Sequence, residues 1–96
     1  MGATTFFTTS KGKTAKEAFM VARERALHAY GHRGYTGTIA EKRDFTMITV
    51  PRGANPEEYA NKLIDQQDYR IDNKWGPAGC IQLTTDTFMF FGWASE

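Results

Sequence analysis

Cysteine is almost missing from this chain: Cys80 is the only one in 96 residues. No internal disulfide can form, and a lone thiol fits a reducing compartment, so a cytoplasmic location is expected. No run approaches the ~18 consecutive apolar residues of a membrane-spanning helix. The opening Met1–Phe7 also lacks the basic region and apolar stretch of a secretory leader. Metal and nucleophile signatures are absent too. There is no cysteine pair and no His-Glu-x-x-His, and only two histidines, His28 and His32, occur. Neither a phosphate-binding P-loop nor a dinucleotide fingerprint is present. With no constellation for catalysis, the expectation is a protein that binds rather than an enzyme, with no cofactor.

Hydrophobic residues make up 41% and charged residues 24%, which indicates an ordered globular domain rather than a disordered tail. Ninety-six residues suffice for one core and leave no room for a second. The net charge of +1 conceals an imbalance. Residues 1–50 carry eight Lys or Arg against four acids, and residues 51–96 carry four against seven. A general polyanion binder would be more basic overall, but the first half can hold a local anion site.

Along the chain, Thr4–Thr9 has the β-branched and aromatic composition of a strand. Thr14 and Glu17 form a capping box that opens a helix, which Gly31 should close after Tyr30. Its apolar stripe is Ala15, Ala18, Phe19, Ala22, Ala26, Ala29 and Tyr30. Thr36–Ala40 and Phe45–Val50 read as two strands joined by a charged hairpin, Glu41-Lys42-Arg43-Asp44. Asn55-Pro56-Glu57-Glu58 starts a second helix that buries Tyr59, Ala60, Leu63 and Ile64 and fades near Gln67. Cys80–Thr84 and Thr87–Trp93 form a final hairpin about Thr85-Asp86. The expected order is β-α-β-β-α-β-β, an α+β fold. Two helices would lie on one face of a mostly antiparallel sheet, in a ferredoxin-like variant.

That arrangement has a consequence for Phe6-Phe7 and Met89-Phe90-Phe91. Neighbouring strand residues point to opposite faces, so one member of each pair must face away from the helices. Phe7, Met89, Phe91 and Trp93 are therefore expected to form an apolar partner surface, for another protein or for a second copy in a homodimer. The bland alternative is that a terminal strand or the 68–79 segment folds over that face.

The densest candidate for recognition is residues 28–40, where Gly31, Gly34 and Gly37 alternate with polar and aromatic side chains. Glycine turns can present backbone N–H groups to an anion. Arg33 adds a donor fork, Thr36 and Thr38 add hydroxyls, and Tyr30, Tyr35 or Trp75 can stack on a base. His28 and His32 complete the set. Zinc between these two histidines is disfavoured because Gly31 interrupts the helix, so ordinary hydrogen bonding is the alternative. Cys80 reads as a buried strand residue rather than a nucleophile. A nucleotide or phosphate ligand at the loop is one reading, and a plain helix-to-strand connection is the other. An RNA-binding module with an open aromatic sheet is less favoured. The window Arg43–Val50 keeps only a basic residue, one aromatic and an apolar position of the signature such a module carries.

The run Tyr30-Gly31-His32 with Gly34–Lys42, closed by Phe90-Phe91-Gly92-Trp93-Ala94-Ser95, resembles small uncharacterised proteins of phages and mobile elements. The resemblance spans most of the chain and carries no shared chemistry. It implies a setting in which short proteins occupy the surface of a host factor, as anti-CRISPR inhibitors do, or capture a signalling nucleotide.

Overall fold

A computed structural model describes residues 2–32 and 34–96. Its elements are β1 (Ala3–Lys11), α1 (Ala15–Tyr30), a short 3-10 turn (Ile39–Glu41), β2 (Phe45–Met47), α2 (Pro56–Asp65), β3 (Ala78–Gln82) and β4 (Thr87–Ser95). The sheet order is β1-β4-β3-β2. β4 runs antiparallel to both neighbours, and β2 runs parallel to β3. The fold is α+β with a mixed four-stranded sheet, consistent with a ferredoxin-like variant.

The caps act as the sequence indicated. Thr14 Oγ1 accepts the N–H of Glu17 at 3.1 Å. Gly31 ends α1 at φ 88°, with its N–H on the Leu27 carbonyl at 2.8 Å. Asn55 Oδ1 accepts the N–H of Glu58 at 3.0 Å, with Pro56 in the first turn of α2. The β3–β4 hairpin turns over residues 84–86.

One expected strand does not form. Residues 36–40 enter the 3-10 turn instead, because Thr38 uses its hydroxyl to cap the N–H of Ala40 at 3.2 Å. Gly37 has φ 70° and donates its N–H to Ser95 at 2.8 Å, which takes it out of any ladder. The hairpin at Glu41–Asp44 is lost with the strand. β2 has no preceding partner and instead pairs in parallel with β3 across the α2 crossover.

The helices also divide differently from expectation. Ala18, Phe19, Ala22 and Ala26 of α1 pack with Phe6, Cys80, Phe88, Phe90 and Ala94. Ala60, Leu63 and Ile64 of α2 pack with Ile71, Ile81, Met89 and Phe91. Successive strand side chains alternate between faces, so each helix covers its own face of the sheet. The neighbouring aromatics do diverge, but a helix receives each set. Gly79 makes this possible on the α2 side, since a Cβ there would lie 2.6 Å from Cζ of Phe91.

Candidate functional site

The covered second face corrects the expected partner surface. Met89 and Phe91 are buried beneath α2 and Ile71, and Trp93 is half-buried against the same cluster. Phe7 alone stays open, 40% exposed, stacked on Phe91 at 6.1 Å between centroids. It lies on the edge strand, outside the α2 cluster. The alternative of base stacking on an open aromatic sheet loses its platform for the same reason.

The residues of the glycine-rich segment are dispersed. His28 and His32 line a surface cavity of about 540 Å³ with Glu24, Arg25 and Leu27. Tyr30, 59% exposed, lines a different cavity beside β1. Arg33 lies outside the described residues. Thr36 and Thr38 turn inward and bind each other, hydroxyl to hydroxyl, at 2.8 Å.

The anion that this loop accommodates is its own. Glu41 Oε2 accepts the N–H of Thr36 at 3.1 Å and the Thr36 hydroxyl at 2.7 Å. Burial pushes the Glu41 carboxyl upward. The Thr36 hydroxyl, the N–H groups of Thr36 and Tyr35 and the charge of Arg23 outweigh it, so the group sits below the usual carboxylate value. The N–H groups of Tyr35 and Thr36, set between Gly34 and Gly37, thus serve an internal carboxylate. Thr36 and Thr38 brace the loop, and a phosphate would have to displace Glu41 to use them.

The braced loop holds Tyr35 in an unusual posture. Its φ is 57°, a left-handed conformation that costs an ordinary residue about 1–2 kcal/mol. Tyr35 is 51% exposed and meets Trp75, 63% exposed, edge to face at 6.3 Å between centroids. Lys74 Nζ lies 5.2 Å from the Trp75 ring centre, within cation–π range. Trp75 also borders a cavity of about 430 Å³ lined by Arg23, Ala40, Glu41 and Arg43. Arg23 Nη2 donates to the Ala40 carbonyl at 3.3 Å, and its buried Nε has no partner among the described residues. Trp75 therefore borders a cleft edged by Arg23, Arg43 and Glu41, and Tyr35 meets the same ring.

Trp75 is positioned by a buried cation. Lys42 has no exposed surface, and its ammonium donates to the carbonyls of Asn73 (3.3 Å), Lys74 (3.2 Å) and Gly76 (3.0 Å). Three donors meet three carbonyls that encircle the turn carrying Trp75. Burial pushes the Lys42 pKa down to about 8. Asn73 completes the turn by accepting the Trp75 N–H on Oδ1 at 2.8 Å. The sequence puts Lys42 in a charged hairpin and does not mark Arg23, Glu41 or Arg43 as site residues. Four consecutive charges look like a solvated turn, and the carbonyls that bind Lys42 arrive 31 to 34 residues later.

Cys80 is fully buried in β3, and burial raises its thiol to about 12, which leaves it without thiolate character at neutral pH. Among the described residues no group of three or more His, Cys, Asp or Glu is placed to hold a metal ion. No described helix is long and apolar enough to cross a membrane. The chain matches no known protein family, no curated protein and no solved structure in any of the three comparisons.

Proposed function

We propose that this chain is a non-enzymatic binding protein, an inhibitor or adaptor that meets a protein partner through the Tyr35–Trp75 patch. The observation that carries the reading is the presentation of these two rings. Tyr35 is held outward in a strained backbone conformation, and Trp75 is held by a turn wrapped around the Lys42 ammonium. Strain and a buried unpaired charge are costs that packing alone does not require. Trp, Tyr and Arg are also the residues that dominate interface energetics. Arg23, Arg43 and Lys74 around the rings favour an acidic partner surface. The resemblance to proteins of phages and mobile elements points to a host factor as that partner, in an anti-defence role.

The test is paired affinity capture from a lysate of the host cell. The wild-type chain and His28→Ala should retain the same protein, and Trp75→Ala and Arg43→Ala should lose it. Identical capture by all four baits would remove the patch from the account.

A nucleotide is the second reading, and one observation favours it. The cleft of about 430 Å³ beside Trp75 falls in the size range of small-ligand sites and has arginines on its walls. A nucleoside triphosphate that binds there would raise the melting temperature of the wild type and not of Trp75→Ala. No shift with any nucleotide removes this reading.

A further inference from the structure

β1 forms one edge of the sheet, with β4 on one side and no described strand on the other. Gly2 and Glu96 exchange both of their backbone hydrogen bonds, at 3.3 and 3.2 Å, and Gly12 donates to Asp86 at 3.0 Å. The register between these points is unbroken, so the even-numbered residues of β1 direct their N–H and C=O groups to β4. The odd-numbered residues, Ala3, Thr5, Phe7, Thr9 and Lys11, direct theirs outward. Arg25 Nη2 marks this direction by donating to the Thr9 carbonyl at 2.7 Å.

Proteins protect long edges with proline, charge, bulges or a covering element. β1 carries nine residues in continuous register, no proline and no charge before Lys11. α1 touches this edge through Arg25 at the Thr9 carbonyl, while an open cavity of about 330 Å³ lies beside Phe7 and Tyr30. Phe7 lies at the centre of the strand, half-exposed.

We propose that this edge pairs antiparallel with the same edge of a second copy, about a two-fold axis at Phe7. The occupant is inferred from self-complementarity, which an isologous interface requires. About that axis Phe7 lies opposite Phe7 of the second copy, Thr5 opposite Thr9, and Ala3 opposite Lys11. No like charges meet across the pairing. The ring left open on the sheet gains an aromatic partner, an arrangement that stabilises paired strands. The Thr9 carbonyl has a second lone pair, so Arg25 keeps its bond. The resulting eight-stranded sheet has no free β1 edge, and neither Tyr35 nor Trp75 belongs to the paired strand.

Sedimentation equilibrium of the full chain tests this, with Thr5→Pro, Phe7→Lys and Trp75→Ala as variants. Thr5→Pro removes an N–H that points outward, so the bonds to β4 are untouched. Wild type and Trp75→Ala should sediment at twice the mass of one chain. Thr5→Pro and Phe7→Lys should sediment as single chains with unchanged circular dichroism, their dissociation constants raised at least about 100-fold. If Thr5→Pro fails to fold, Phe7→Lys and amide exchange of the wild type decide. The Thr5, Phe7 and Thr9 amides should exchange more slowly as protein concentration rises. A wild type that stays a single chain at about millimolar concentration overturns the proposal. So does a dimer that survives Phe7→Lys or disappears in Trp75→Ala.

Discussion

The ammonium of Lys42 lies 3.0 Å from the carbonyl oxygen of Gly76, with the Asn73 and Lys74 carbonyls completing its coordination. This contact joins the end of the 3-10 turn to the turn that presents Trp75. Replacing Lys42 by Met keeps most of the side-chain volume and leaves three carbonyls without their donor. Each unsatisfied buried acceptor costs about 1–3 kcal/mol, and removal of the lysine's desolvation cost offsets part of that. Lys42→Met should lower stability by about 1–2 kcal/mol in urea titration. It should also speed amide exchange over residues 73–76 while leaving the β3–β4 amides protected.

Titration of Lys42 has a definite sign. Its folded-state pKa, about 8, lies below the ordinary lysine value of 10.5. Between these values the unfolded chain binds more protons than the folded one, so stability rises with pH. Below pH 8 both states hold the proton, and the burial cost is present in full. The difference across the window is on the order of 3 kcal/mol. Melting temperatures should climb from pH 8 to pH 10 in the wild type, and the climb should be absent in Lys42→Met. Equal curves for the two proteins would place the titration elsewhere.

Glu41 titrates in the same sense, in an acid window. Its carboxyl lies below the ordinary value in the fold, so the stability it contributes is present above the unfolded-chain pKa. That contribution disappears as the pH falls through the folded value. Glu41→Gln keeps the shape and removes the charge that the Thr36 and Tyr35 N–H groups bind. A loss of about 1–2 kcal/mol at neutral pH is expected. The acid limb of the stability curve should flatten, and amides of residues 34–38 should lose protection in hydrogen exchange.

Local signals in the sequence were reliable wherever a cap or an alternation defined the element. Thr14 with Glu17, Gly31, and Asn55 with Pro56 mark helix ends by chemistry that acts within four residues. The divergence of Phe6 from Phe7 and of Phe90 from Phe91 follows from the pleat alone. The face that α2 covers was not legible, because the right-handed β-α-β crossover fixes it only once β2 is known to pair in parallel with β3. The missing strand at 36–40 was obscured by Thr36 and Thr38. Their β-branched shape suggests a strand, while their hydroxyls satisfy Glu41 and the Ala40 N–H. Of the candidate site, Tyr35 and Trp75 were visible as aromatics able to stack on a ligand, set in polar, glycine-rich segments. Lys42, Glu41 and the arginines acquire their roles only through contacts between distant segments.

The patch itself makes the most direct prediction. Tyr35 and Trp75 contribute little to the core, so truncating them should change stability by no more than about 0.5 kcal/mol. An interface centred on them should lose at least about tenfold in affinity. The deciding measurement is capture from host lysate with the wild type and the folded Tyr35→Ala/Trp75→Ala double variant as paired baits. At least one protein held by the wild type and absent from the double variant is the predicted result. The same proteins on both baits, in equal amounts, would contradict the account.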